Sequence, residues 1–290
     1  MTTGTESTPP AAGRPGTSTE AGPGPTGHPA TDDLLARFTE ALRPPFLPLV
    51  ALWIHGSIAE GTDYRPGRSD LDLVAVVERP CTPGEERRLV ALHEQLIRDE
   101  PLAGGLHCSY LPRTGLEDPA RDHPVWAHRE YFARPLTPVA RRELHTFGRV
   151  LYGRPPGGLL PPVTDRGLAD HILGELRGTL SDLPALRSEL LLQDGWLDFA
   201  LLTVARMHIT LRDGRLITKR EALDVLRTEL GAPAELVADI QRRRYGGVSA
   251  DAPENSADTA PDADTDLARR RRRAALAAEF LDPVVARLLS

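Results

Sequence analysis

Two aspartates, Asp70 and Asp72, follow Ser57 by thirteen and fifteen residues, and their setting is that of a site that handles charge. An apolar run, Leu52-Trp53-Ile54-His55, ends in Gly56-Ser57. After a polar loop a second run begins as Ser69-Asp70-Leu71-Asp72-Leu73-Val74-Ala75-Val76-Val77. Side chains on a strand alternate faces, so Asp70 and Asp72 project to one side while Leu71 and Leu73 face the core. Adjacent carboxylates repel unless a cation sits between them, and a divalent ion such as Mg2+ is the natural occupant. The Gly-Ser turn offers backbone N–H groups and a hydroxyl to a phosphate. A metal–nucleotide site is the chemistry this spacing predicts.

Each piece alone is ordinary, since a Gly-Ser pair is usually only a turn and Asp-x-Asp usually a solvated strand edge. The combination is rarer, because a polar loop must join two apolar runs with the reactive residues at their facing ends.

The chain that must position these residues has 290 residues, enough for two modest domains with their own cores. Its hydrophobic share of 40% is ordinary, and no apolar stretch approaches the ~18–20 residues of a membrane span. The first residues lack a basic patch followed by an apolar core, so no secretory signal is expected and a cytoplasmic location is. Cys81 and Cys108 form no disulfide framework or zinc pattern, and the nine histidines lack metal-site spacing. Residues 248–266 hold six acids and no Lys or Arg, which accounts for the whole net charge of −6. The rest is balanced, so charge gives no reason to expect a nucleic-acid partner. Lys219 is the only lysine, the other 34 of the 35 basic residues being arginine. Chance retention in an arginine-biased chain would explain it; so would a compact ammonium at a phosphate, a task for which arginine does not substitute.

Residues 1–30 read as a disordered tail. Thr31-Asp32-Asp33 is predicted to cap a helix through about Leu42, stopped by Pro44-Pro45. Phe46–Ile54 and Leu71–Val77 are predicted strands, Pro83 opens a helix carrying Leu89, Leu92, Leu96 and Ile97, and Leu106–Leu111 is a third strand. Beyond Thr137 the pattern turns helical: Pro138–Tyr152 as one helix, a proline-rich linker at 155–162, Thr164 through about Leu180, Leu183–Leu192, Trp196–Leu211, Lys219–Leu230 capped by Thr218, and Pro233–Arg244. An acidic disordered insert to Asp266 precedes a last helix, Leu267–Leu289. The Arg269–Arg273 run reads as a solvated helix face paired with that insert.

Gly56-Ser57 with Ser69-Asp70-Leu71-Asp72-Leu73 resembles the signature of the DNA-polymerase-β-like nucleotidyltransferase superfamily. Leu201–Arg206, Thr210, and Asp213-Gly214-Arg215-Leu216-Ile217-Thr218-Lys219 with Glu221-Ala222 are similar to the helical domain of the streptomycin/spectinomycin (aminoglycoside 3''-) adenylyltransferases. Glu143–Pro162 fits their connecting segment, and the resemblance spans roughly residues 35–247. It implies an α+β chain: a small mixed-sheet nucleotidyltransferase domain (31–154) followed by an all-helical bundle domain (155–247), with 1–30 and 248–266 disordered and 267–290 a C-terminal helix. It further implies that Asp70 and Asp72 hold Mg2+, that Gly56, Ser57 and Ser69 contact the triphosphate of ATP, and that Arg206 and Lys219 reach the nucleotide from the helical side. Lys219 at a helix start agrees with this on its own, since N–H groups there favour phosphate. Arg206 in an apolar helix is either half-buried structure or a phosphate ligand.

The family places a glutamate, acting as general base, on the next strand. His107 stands at that position, suited by its ordinary pKa to accept a proton and poorly suited to ligate Mg2+. Glu130, read as lying on a neighbouring helix, could supply the missing carboxylate. Asp194 and Asp198 around Trp196 are either contacts for a cationic, hydroxyl-rich antibiotic or a helix cap beside a core tryptophan. A monomeric enzyme moving AMP from ATP to a small-molecule hydroxyl, with an aminoglycoside or aminocyclitol as acceptor, is expected. A nucleotidyltransferase with a protein, RNA or metabolite acceptor and a degenerate nucleotide-binding regulator are the alternatives.

Overall fold

The computed structural model describes residues 26–180, 187–246 and 263–290. Among the described residues six strands form one mixed sheet: β1 (Leu49–His55), β2 (Leu71–Val77), β3 (Leu106–Pro112), β4 (Asp122–Ala127), β5 (Glu130–Pro135) and β6 (Arg149–Gly153). Their order is β5-β4-β3-β2-β1-β6. Only β2 and β3 run parallel. The crossover between them is α3 (Pro83–Asp99), which starts in a capping box formed by Thr82 and Glu85. α3 packs Leu89, His93 and Leu96 toward the sheet, and α1 (Pro29–Leu42) lays Leu34, Leu35, Phe38 and Leu42 on the same face. That face of the sheet is Leu52, Ile54, Leu71, Leu73, Cys108 and Tyr110. The opposite face carries Ala51, Trp53, Val74, Val76 and Leu111, covered in part by Ala140 and Leu144 of α4 (Pro138–Thr146). The strand period thus divides β2 into a buried row and a row whose leading member, Asp72, is polar.

A second, helical core gathers α5 (Asp165–Glu175), a π turn (Leu176–Leu180), the single-turn α6 (Arg187–Leu190), α7 (Asp194–Asp213), α8 (Lys219–Thr228), α9 (Ala234–Tyr245) and α10 (Ala263–Leu289). Gly214 ends α7, and α8 starts at a second capping box between Thr218 and Glu221. That box fixes where Lys219 stands, at the first position of α8. Thr218→Ala is expected to cost about 1 kcal/mol of stability, read in urea unfolding; no loss would show that packing alone seats α8.

Several expected elements are redrawn. The helix expected over Pro138–Tyr152 ends at Thr146, where the N–H groups of Phe147 and Gly148 both donate to the Glu143 carbonyl. A Cβ on Gly148 would lie 2.5 Å from the Leu144 carbonyl oxygen, so glycine permits this close exit. Val150 and Tyr152 then pair with Trp53 and Leu52 of β1 as an edge strand, with a register shift at Leu151, a tertiary contact that helical periodicity does not reveal. Glu130 is not on a helix: His128 and Arg129 adopt left-handed φ values of 54° and 65°, turning β4 tightly into β5, and Glu130 opens β5 opposite Ala127. β1 starts at Leu49 rather than Phe46, just beyond Pro48. α1 starts at Pro29, so Thr31 lies within the helix, buried, its hydroxyl 2.8 Å from that of Tyr64. The helix expected to run from Thr164 to Leu180 passes into the π turn after Glu175. α10 takes in residues 263–266 of the expected insert. Residues 1–25 of the expected tail, 248–262 of the expected insert and 183–186 of the Leu183–Leu192 segment lie outside the described residues. Asp266 pairs with Arg269 and Arg270 as expected of a solvated face. Arg273 departs from that face: it is buried and bonds Asp194 and Asp239, joining α10 to α7 and α9.

His93 gives the sheet core an acid-sensitive element. It is 1% exposed, its Nε2 lies 2.6 Å from the Tyr110 hydroxyl, and its ring stacks on Trp126 at 4.7 Å. Burial, with the charge of His107 adding to it, pushes its pKa down to about 3. An unfolded histidine protonates near pH ~6.5, so below that pH the unfolded chain takes up a proton that the folded chain refuses. This stabilising contribution is complete above pH ~6.5 and is lost as the pH falls toward 3, by up to about 1.4 kcal/mol per unit. Urea unfolding at pH 7.5 and pH 5 should therefore differ more for the native chain than for His93→Gln; equal differences would contradict the assignment.

Candidate active site

The sheet register sets three polar residues in a row across its centre. His55 on β1 pairs with Asp72 on β2, and Asp72 with His107 on β3. Asp70 lies two residues before Asp72, on the same side. The His107 ring is beside both carboxylates, Nδ1 3.6 Å from Asp72 Oδ1 and Nε2 3.8 Å from Asp70 Oδ1. The His128 N–H donates to His107 Nε2 at 3.3 Å. A nitrogen that accepts must carry its lone pair, so the neutral ring holds its proton on Nδ1, toward Asp72. Burial would raise the pKa of Asp72, but the His107 imidazole beside it and the charges of His55 and Lys219 hold it below the usual carboxylate value. Asp70 is more open, its side chain 58% exposed.

At the end of β1 the chain turns through Gly56, with φ at +70°, into the one-turn helix α2 (Gly56–Glu60). A Cβ there would lie 2.7 Å from Asp72 Oδ2, so the positive φ and the close approach both require glycine. Ser57 follows at the cleft wall. Ser69 accepts the Arg65 N–H at 3.1 Å and thereby closes the loop that leads into Asp70.

The helical half supplies the opposite wall. Arg206, on α7, donates from Nε to the Ile217 carbonyl at 3.0 Å and brings its outer nitrogen to 3.6 Å from Glu143. Lys219 lines the same cleft. Burial and the charges of Arg244 and Arg206 push its pKa down, against the opposing pull of Asp70 and Asp63. The cleft has a volume of about 310 Å³ and brings Gly56, Ser57, Asp70, Asp72, Arg206 and Lys219 together.

Glu143 of α4 is a cleft residue that sequence reasoning did not assign to chemistry. It is buried, its carboxylate 2.9 Å from His55 Nδ1 and 3.6 Å from the Arg206 guanidinium. Burial works against a charged His55, but the Glu143 hydrogen bond and the charges of Asp72 and Glu143 outweigh it and raise the pKa of His55. A signal was present in the sequence, since Glu143 falls three residues after Ala140 and beside Leu144, on the apolar side of its helix. A second cavity of about 230 Å³ lies between α4 and strands β3–β5, bordered by His107 and Arg134 and meeting the first at Asp72 and Glu143.

Other candidates lie elsewhere. Glu130 is exposed at the hairpin. Asp198 is paired with Arg243, and Asp194 with Arg273, so both carboxylates are engaged in holding α7 to α9 and α10. Trp196 is 45% exposed rather than a core residue, in edge-to-face contact with Phe199. Among the described residues no set of three or more His, Cys, Asp or Glu side chains is arranged to hold a metal ion. Two carboxylates on one face nevertheless match the needs of Mg2+, which keeps several waters and takes one or two carboxylates together with substrate phosphates. Among the described residues no helix is long and apolar enough to cross a membrane.

No protein-family model matches the sequence, and no curated protein matches it. The structure is similar to the crystal structure of spectinomycin adenyltransferase AAD(9) from Enterococcus faecialis with ATP and spectinomycin. The TM-score is 0.58 at 17% sequence identity, over 84% of this chain and 98% of that one. The chain therefore shares that fold, a mixed sheet joined to a helical part, which is the α+β architecture expected from the sequence.

Proposed function

We propose that the chain is an ATP- and Mg2+-dependent nucleotidyltransferase that moves AMP onto a hydroxyl of a small molecule, with an aminoglycoside or aminocyclitol antibiotic as the leading acceptor. One observation carries the reading: Asp70 and Asp72 share one face at a turn that only Gly56 can make, and Lys219 and Arg206 face them across a cleft of about 310 Å³. Two acids for a metal and two cations for a polyphosphate are the parts that phosphoryl-type transfer needs, since its catalysis is mostly positioning and charge stabilisation. The neighbouring fold was crystallised with ATP and spectinomycin, which supports a nucleotide and a small-molecule acceptor here.

In the proposed reaction the acceptor hydroxyl oxygen bonds to the α-phosphorus of ATP. The bond from that phosphorus to the bridging oxygen breaks, and its electron pair leaves with pyrophosphate. Mg2+, held by Asp70 and Asp72, would neutralise phosphate charge. Ser57, Arg206 and Lys219 bind and orient the triphosphate. The acceptor occupies the cavity between α4 and β3–β5, because that space meets the cleft at Asp72 and Glu143. Glu143 takes the hydroxyl proton. His107 is less suited to that step, its Nε2 lone pair being engaged by the His128 N–H; it positions the two aspartates. Arg134, His55 and His107 beside the acceptor cavity, and the neutralised Asp194 and Asp198, favour a second reading of the acceptor, a hydroxyl compound that is not polycationic.

Incubating the protein with Mg2+, ATP and a panel of hydroxyl compounds that includes streptomycin and spectinomycin tests this by mass. Gain of one AMP on either drug supports the leading acceptor. Gain only on neutral or anionic compounds supports the second. Pyrophosphate release with no compound modified would contradict both.

A further inference from the structure

A cavity of about 280 Å³ adjoins the cleft and shares Asp63 with it. Four guanidinium groups line it, those of Arg65, Arg68, Arg243 and Arg244, against the carboxylates of Asp63 and Asp198. Both carboxylates are already committed. Asp63 accepts from the Tyr245 hydroxyl at 2.9 Å and from the Arg220 N–H at 3.0 Å, and Asp198 pairs with Arg243. Among the described residues, Arg65, Arg68 and Arg244 form no ion pair with a carboxylate, and the Nε of Arg244 is buried with no hydrogen-bond partner. Arg65 lies over the Tyr245 ring at 5.1 Å, with Arg220 4.2 Å from the same ring, so the aromatic group spaces two cations that would otherwise repel. Ser69, the residue before Asp70, lines the cavity, and the charge of Arg244 is felt at Lys219. This is a cationic pocket beside the cleft, with donors left over for several anionic oxygens.

We infer that Arg65, Arg68 and Arg244 form the seat of the terminal phosphates of the nucleotide and of the pyrophosphate that leaves. The inference rests on the nucleotidyltransferase reading and adds a specificity to it. Ser57, Arg206 and Lys219 orient the triphosphate in the cleft, while the arginine pocket holds its terminal end and so tells a triphosphate from a monophosphate. Arginine suits the task, since its planar fork meets phosphate oxygens in pairs.

Titration calorimetry with inorganic pyrophosphate, ATP and AMP, without an acceptor, tests it on the full chain. Pyrophosphate should bind the native protein in competition with ATP. Arg68→Ala/Arg244→Ala should weaken pyrophosphate and ATP by about tenfold or more and leave AMP unchanged, unchanged AMP binding also showing that the variant is folded. Arg68→Glu, a change at an exposed loop residue, should weaken pyrophosphate in the same direction and guards against loss of the half-buried Arg244 disturbing α9. No pyrophosphate binding, equal weakening of AMP, unchanged affinities, or pyrophosphate bound without displacing ATP would each overturn the inference; the last would assign the pocket to a separate phosphorylated ligand. Arginine-dependent pyrophosphate binding without AMP transfer to any compound would leave the pocket standing and remove the proposed reaction instead.

Discussion

Replacing Asp72 with asparagine is expected to lower AMP transfer by on the order of 10³-fold while the fold is kept. The amide has the shape of the carboxylate and loses only its charge. That charge is what His55, His107 and Lys219 act on when they hold the Asp72 pKa down, and it is half of the acidic pair proposed to hold Mg2+. The cost therefore falls on the site, where β2 leaves its hydrophobic neighbours, and not on Leu71, Leu73 and Val74, which anchor the strand on both faces. Turnover and thermal unfolding measured on the same preparation check this. Transfer within tenfold of native, with an unchanged Tm, would mean that Asp72 is not part of the reacting centre.

Glu143→Gln should lower kcat by about 10²- to 10⁴-fold with little change in the KM for ATP, the size expected when a positioned proton acceptor is removed. Glutamine can still accept from His55 and stand beside Arg206, so the cleft keeps its shape. His107→Gln should cost less, because the ring's accepting nitrogen is occupied by the His128 N–H and its other nitrogen faces Asp72. The two variants divide the roles. A loss of 10³-fold in His107→Gln with a mild Glu143→Gln would make the histidine the base and Glu143 a support for His55 and Arg206.

What could be read from the sequence was local. The extended chain leading into β2 puts Asp70 and Asp72 on one side, where His107 meets both, and Gly56 marks its turn because no other residue fits there. Lys219 could be placed at the start of α8 because the Thr218–Glu221 capping box is written within four residues. What escaped depended on partners far along the chain. Glu143 meets His55 across 88 residues, and β6 exists as a strand only because β1 has an open edge to pair with. The hairpin that carries Glu130 is turned by His128 and Arg129, neither of them the glycine or asparagine that usually announces such a turn. Arg273 is found in a basic run whose neighbours Arg269 and Arg270 are solvated, and its burial comes from Asp194 and Asp239, on other helices.

The central claim is that Mg2+ and ATP meet at Asp70 and Asp72 under the Gly56-Ser57 turn. A crystal structure with Mn2+ in place of Mg2+ and a non-hydrolysable ATP analogue tests it most directly, because Mn2+ is located by its anomalous signal. Mn2+ should be ligated by Asp70 and Asp72, with the triphosphate on Ser57 and Lys219. Mn2+ away from both aspartates, or a nucleotide bound outside the cleft between the sheet and α7–α8, would contradict it.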